Sequence, residues 1–228
     1  MVAAVYKYET HLHTSPVSRC AKVGVRENLL AYKAMGYDGV FITNHLDGNI
    51  YNFGGPTHTS RIDFFFSDYE EGVKIGKEIG LKVFLGAEIT YEGTDFLIYG
   101  LDKQWYYAHP EIEGMKQSEK LRFLMNEGAL VIHAHPYREA YYIDHIRLYP
   151  RHVHGVEVVN ACRTPFENEM AEHYAKSYGL FEFAGTDNHT GANRELFAGM
   201  ESEKPVHSER DFIEKFFAGE MKIFTLKA

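Results

Sequence analysis

The chain has 228 residues, 45% of them hydrophobic, with a formal net charge of −8, 13 histidines and two cysteines, which suits one large α/β domain spanning 1–228. The acidic balance argues against long nucleic acid as a partner, since phosphate backbones are held by clustered Lys and Arg. It leaves a small phosphate open wherever bound metal ions supply local positive charge. No apolar run approaches the ~18 residues of a membrane span, the start Met1-Val2-Ala3-Ala4-Val5-Tyr6-Lys7 lacks a leader pattern, and Cys20 and Cys162 suggest no disulfide framework, so the expectation is a cytoplasmic protein away from membranes.

Strand and helix signals alternate along the chain. Residues 5–9 read as a short strand running into His11. Residues 25–35 read as a helix with Val25, Leu29, Leu30 and Ala34 on one face and Gly36 as its stop. Residues 40–43 form a short apolar strand. Residues 47–66, rich in Gly, Asn and Thr and ending in Phe64-Phe65-Phe66, read as a long loop near a site mouth. Ser67 and Glu70 have capping-box spacing, opening a helix to Ile79 that Gly80 ends. Strands follow at 82–85 and 96–99, a helix at 118–126, and strands at 129–132 and 156–159. Residues 165–178 read as a helix with Pro at its start and Gly179 past its end. A strand at 181–184, a helix at 208–217 and a strand at 223–226 complete the order, with no repeat or linker. About seven strands alternating with helices imply a parallel sheet. Ligand-grade side chains at many strand ends favour closure, because a barrel brings every strand end to one rim. The expected fold is a distorted (β/α)7 barrel.

Those strand ends carry the chemistry. His11 and His13, two residues apart on an extended segment, point the same way and can reach one metal. His45 follows the second strand, with a satisfied loop histidine as the bland alternative. Glu88 follows an almost wholly apolar strand, where an unpaired carboxylate is costly to desolvate; a metal or an Arg would be its partner. His133 and His135 again share a face, with Pro136 fixing the turn after His135; His133 lies deeper, suited to the core or to supporting a ligand, with a metal-ligand role as the alternative. Asp187 and His189 repeat the spacing after Gly185, read as allowing a sharp exit. Imidazole and carboxylate donors together suit Zn, Mn or Fe. Arg19, Arg138, Arg163 and Arg194 follow closely on site segments and are candidates for a bidentate phosphate clamp, Arg138 first. The stretches Trp105-Tyr106-Tyr107 and Tyr141-Tyr142 are expected to pack helices onto the barrel, with stacking on a substrate as the alternative.

In their order, "HLHT" at 11–14, "ITNHLD" at 42–47, "GAE" ending at Glu88, "AHPYR" at 134–138, "VEVVN" at 156–160 and "GTDNH" at 185–189 resemble the polymerase and histidinol phosphatase (PHP) family of metal-dependent phosphoesterases. The resemblance implies a distorted seven-stranded barrel holding two or three divalent ions. His11, His13, Glu88 and Asp187 would hold one, Glu88 (bridging) and His135 a second, and His45 and His189 a third. Three departures stand out: Asn44 replaces the usual Asp of the second motif; Ser18-Arg19-Cys20 stands where a His or Asp is common, making Cys20 or Arg19 the candidate there; and Asp95 alone sits near a slot that often holds His. The expected reaction is hydrolysis of a small-molecule phosphomonoester by a hydroxide between two ions, with His45 and His189 on the leaving-group side. The alternatives are a phosphodiesterase on a cyclic or oligonucleotide ester, hydrolysis of a C–N bond, or a non-catalytic metal-stabilised module. Oligomeric state is open, and specificity is expected in segments 47–66, 102–117 and 137–152.

Overall fold

Residues 5–46 and 48–227 are described by a computed structural model, so Asp47 of the second motif lies outside the described residues. The first half of the chain contributes β1 (Tyr6–Leu12), α1 (Val25–Ala34), β2 (Gly39–Ile42), α2 (Gly48–Phe53), α3 (His58–Ile79), β3 (Lys82–Tyr91), β4 (Thr94–Tyr99) and α4 (Lys103–Ala108). After a 3-10 turn at Pro110–Glu113 come α5 (Gln117–Asn126), β5 (Leu130–Ala134), β6 (Gly155–Asn160), α6 (Pro165–Tyr178), β7 (Phe181–Gly185), β8 (Leu196–Ser202), α7 (Glu209–Phe217) and β9 (Lys222–Lys227). Nine strands form one sheet in the order β7-β6-β5-β4-β3-β2-β1-β8-β9. Four neighbouring pairs are parallel (β1/β2, β2/β3, β5/β6, β6/β7), and four are antiparallel.

The sheet curls until its first and seventh strands nearly meet. Past the end of β7, Asn188 forms a parallel bridge to Leu12, with His13 N donating to Asn188 O at 3.0 Å and Asn188 N to His11 O at 3.1 Å. Buried Glu9 strengthens this seam by accepting from Thr186 N at 3.0 Å and His11 N at 2.8 Å. The result is an α/β barrel, as expected, but not a regular (β/α)7 one. Glu92 and Gly93, both at positive φ (46° and 79°), turn β3 straight back into β4. That two-residue connection allows only an antiparallel neighbour. The strand β8, which the sequence reading leaves out, inserts antiparallel between β1 and β9.

Two further expectations are corrected. Segment 47–66, expected as a loop, holds α2 and the first turns of α3 in its described residues 48–66. The capping box is Thr57 with Ser60, each side chain bonded to the other's backbone at 3.1 Å, whereas Ser67 sits mid-helix and donates to Phe64 O. The early start is stabilised because Ile62, Phe65 and Phe66 fall on one buried face. The predicted α6 matches the structure in both bounds, with a Thr164–Glu167 capping box at its start and Gly179 in the left-handed conformation after its end. No described helix is long and apolar enough to cross a membrane.

The barrel interior is filled by Tyr8, Phe41, Phe84, Leu97, Tyr99, Ile132 and Phe183, and α7 plugs the end where the parallel strands begin. Its Phe212, fully buried, lies 4.5 Å from the Phe41 ring and 5.8 Å from Tyr99, measured between centroids. The ligand-grade residues are left to the opposite end. Phe212→Ala is therefore expected to cost about 3–5 kcal/mol of stability, read as a lowered urea midpoint by circular dichroism.

Candidate metal centre

Side-chain alternation along β1 sends His11 and His13 toward the barrel mouth, where their Nε2 atoms lie 3.1 Å apart. Their other ring nitrogens are engaged: His11 Nδ1 lies 2.9 Å from Glu157 Oε1 and His13 Nδ1 3.2 Å from Ser18 Oγ. That arrangement assigns Nε2 as the free donor of each ring. Glu88 faces them from β3. The strand does not stop at residue 85 but continues past Glu88 to Tyr91, because the segment after β2 runs alongside it, with Glu88 N donating to Asn44 O and Leu46 N to Glu88 O.

Four imidazoles converge on that one carboxylate. His11 Nε2, His13 Nε2 and His135 Nε2 each lie 3.3 Å from a Glu88 oxygen, and His45 Nδ1 lies at 2.9 Å. Asp187 closes the cluster from beyond β7, with Oδ1 3.6 Å from His11 Nε2 and 3.5 Å from His13 Nε2. Asp95, at the start of β4, lies 3.9 Å from His135 Nε2 and ion-pairs with Arg138 at 2.9 Å. Ligand atoms group within 4.8 Å of one another in overlapping sets: His11–His13–Glu88, His11–His135–Asp187, Glu88–Asp95–His135, and His13–Cys20–His45–His189.

The donor set fits divalent cations. Both Glu88 oxygens are buried and make no hydrogen bond of acceptable geometry, which is costly for an anion unless a cation takes up the lone pairs; buried Asp95 has Arg138 as a counter-charge. Burial opposes charge on Glu88, yet His45 and His11 hold its carboxyl well below the ordinary carboxylate range. Burial, with the adjoining Glu88, pushes Asp95 up. Burial and the neighbouring His189 and His45 hold the His13 imidazole well below its usual value. Burial raises the Cys20 thiol, but His189 and His45 outweigh it and bring the thiol down to about 6.

The surrounding residues set these orientations. Glu157, fully buried in β6, accepts from His11 Nδ1, from His135 N at 3.1 Å and from Asn160 Nδ2 at 2.9 Å. Sequence reasoning quoted its motif and missed its role; the signal was the inward place of Glu157 between Val156 and Val158. Buried Asp68 of α3, also missed, accepts from Thr14 Oγ1 at 2.7 Å and Asn44 Nδ2 at 3.2 Å. Asn44 thus supplies a donor to Asp68 that an aspartate could not. Gly185 has a reason different from the expected one: a Cβ there would stand 2.5 Å from His11 Cβ and 2.8 Å from Glu157 Oε1. The turns fall instead on His135 (φ 25°) and Asp187 (φ 58°), non-glycine residues held at positive φ.

His133 lies apart from the cluster, its ring stacked 4.8 Å from Phe96 and both nitrogens buried without a hydrogen bond. Arg138 also donates to Gly93 O, Arg194 donates to Ala161 O, and exposed Arg19 lies 4.0 Å over the Phe53 ring. Tyr106 packs in the core and Trp105 lies against Phe123, but Tyr141 and Tyr142 are exposed on the 137–152 segment rather than packed on the barrel.

The structure is thus a nearly closed α/β barrel with a buried His/Asp/Glu cluster at its mouth. The comparisons agree at the level of fold. The structure is similar to a two-domain protein from Bacteroides vulgatus containing a predicted PHP-like metal-dependent phosphoesterase, with a TM-score of 0.67 at 15% identity, over 97% of this chain and 65% of that one. It is also similar to PsfC from Pseudomonas syringae (TM-score 0.64, 16% identity, 98% of this chain and 92% of that one). An amidohydrolase from Chromobacterium violaceum with bound sulfate and no metal matches at a TM-score of 0.56 and 10% identity, over 95% and 97% of the two chains. This chain thus spans about two thirds of the first neighbour's length. No protein-family model and no curated protein matches the sequence.

Two outcomes test this geometry. Glu157→Gln is expected to weaken metal binding about 10–100-fold, as removal of a partner that orients a ligand does, measured by competition with a chromophoric chelator. His133→Phe is expected to retain the metal complement. Burial lowers the His133 imidazole to about 3 from 6.5, so the folded state requires the neutral ring. The stability tied to it is present above pH about 6.5 and is lost as pH falls toward 3, by up to about 1.4 kcal/mol per pH unit. In chelator-treated protein, His133→Phe should flatten that part of the stability–pH curve, followed by urea titration.

Proposed function

We propose that this protein is a metal-dependent phosphoesterase that hydrolyses a small phosphomonoester. The observation that carries the reading is the convergence of His11, His13, His45 and His135 on Glu88, beside Asp187 and Asp95. In this reading His11, His13, Glu88 and Asp187 hold one ion, and Glu88, His135 and Asp95 hold a second, with Glu88 shared. His45 and His189 take a third position. Divalent ions bound there lower the pKa of water and neutralise phosphoryl oxygens.

The chain's own residues then orient the substrate. The Nε–H groups of Arg138, Arg163 and Arg194 are buried without a partner among the described residues, and such guanidinium donors suit phosphate oxygens. Arg138 is fixed by Asp95 and so presents its remaining donors from one place. Arg19, exposed and stacked on Phe53, is the remaining arginine available to a substrate in this reading. His45 and His189, less buried than the rest, are assigned to the leaving-group side in this reading. Hydrolysis of a C–N bond is less well supported, because Glu88 itself fills the place shared between ligand groups.

The test is release of phosphate from a panel of monoesters, with diesters and an amide alongside, by protein stripped of metal and reloaded separately with Zn, Mn and Fe. Monoester turnover that vanishes on chelation and falls at least about a hundredfold in His13→Ala is expected. Metal-loaded protein that releases no phosphate, or a His13→Ala protein that matches the parent, would overturn the reading. Turnover of diesters alone would move the assignment to a phosphodiesterase.

A further inference from the structure

We propose that Cys20, His45 and His189 form a mixed thiolate–imidazole site at the outer edge of the cluster, selective for a zinc-type ion over manganese. This rests on the metal-dependent reading above and specifies its third position. Cys20 Sγ and ligand nitrogens of His13, His45 and His189 all lie within 4.8 Å of one another. The other three ligand groups contain only imidazole and carboxylate donors. The cluster is therefore divided by donor chemistry.

Cys20 is exposed, but its position is fixed by the segment around it. The segment between β1 and α1 is folded on itself by Ser18 N to Thr14 O at 2.9 Å and Ala21 N to Ser18 O at 3.0 Å. It is fastened to both histidines by their own backbones. Ser18 Oγ, two residues before Cys20, accepts from His45 N at 3.0 Å. Lys22 N, two residues after, donates to His189 O at 2.8 Å. The thiol is held on both flanks at a fixed place relative to the two rings.

Ring orientation completes the set. His45 turns Nδ1 to Glu88 at 2.9 Å, and His189 turns Nδ1 to the Asp187 carbonyl at 3.0 Å, leaving Nε2 of each ring for the outer side. The His13 ring stacks between them, 4.5 Å from His45 and 4.2 Å from His189, and so lines the inner wall. Three protein donors with an open, partly solvent-facing fourth position match an exchangeable tetrahedral site. A thiolate favours zinc and disfavours manganese, which prefers oxygen donors; the carboxylate-rich pair beneath has no such bias.

The experiment is cobalt(II) titration of the chelator-stripped full chain, with bound metal counted by elemental analysis. Sulfur ligation gives a thiolate-to-cobalt charge-transfer band in the near ultraviolet. The band should be present in the parent and in Cys162→Ser and absent in Cys20→Ser, which should still bind cobalt at the Glu88-bridged positions. Limiting zinc should remove the band first, manganese should not, and Cys20→Ser should weaken zinc binding at the outer position by about tenfold or more. Cobalt bound with no sulfur band, or a band unchanged in Cys20→Ser, overturns this assignment and leaves the phosphoesterase reading standing. No cobalt bound to any variant overturns both.

Discussion

A carboxylate enclosed by imidazoles and cut off from water governs the rest of this molecule. Glu88 is 1% exposed and receives four ring nitrogens within 3.3 Å. Such an arrangement is unstable by itself. Either the rings carry protons crowded against one another, or the anion stays unsatisfied in a low-dielectric site. A divalent cation resolves both, since neutral imidazoles and charged carboxylates are the protonation states that ligation requires. The four rings come from β1, the segment after β2, and the end of β5, with Asp187 supplied from beyond β7. They can meet only if the sheet curls, so closure of the barrel and assembly of the site are one geometric requirement.

The seam where closure happens shows how that requirement is met. Asn188 bridges to Leu12 between the two residues that bear His11 and His13, so the same backbone hydrogen bonds that bring β7 to β1 also space the ligands. Gly185 permits the approach, because any larger residue would strike His11 and Glu157. Glu157 then orients His11 from one side and fixes the backbone of His135 from the other. The positive φ values at His135 and Asp187 are the local strain that this over-determined frame holds in place.

Much of this was legible in the sequence, and the failures have physical causes. The helix α6 was readable at both ends because its signals are local: Thr164, Pro165, Glu167 and Gly179 each act within a turn. His11, His13, His45, Glu88, His135, Asp187 and His189 stood out because strand-end positions place them near one another in any closed barrel. Segment 47–66 was misread because its Gly, Asn and Pro content outweighed the periodicity of Ile62, Phe65 and Phe66, which matters only once there is a sheet to pack against. The β3–β4 hairpin was missed because Glu92-Gly93 is a weaker turn signal than Asn-Gly or Asp-Gly. Glu157 was passed over because a buried carboxylate between valines betrays its role only through partners distant in sequence.

Arg138 links the ligand cluster to the rim of the barrel mouth. The half-buried guanidinium has a fixed counter-charge in Asp95, whose other neighbours are His135 and Glu88. The same carboxylate thus belongs to the ligand cluster and anchors the Arg138 guanidinium. The 137–152 segment is tied to the β3–β4 turn through Arg138 to Gly93 O and through Arg147 to Glu92, both at its backbone and at its carboxylate. The rim of the mouth is therefore fastened to the strand that carries Glu88. Displacing that strand would disturb the ligands, the arginine and the rim together, so in this barrel the position of one buried glutamate fixes the geometry of all three.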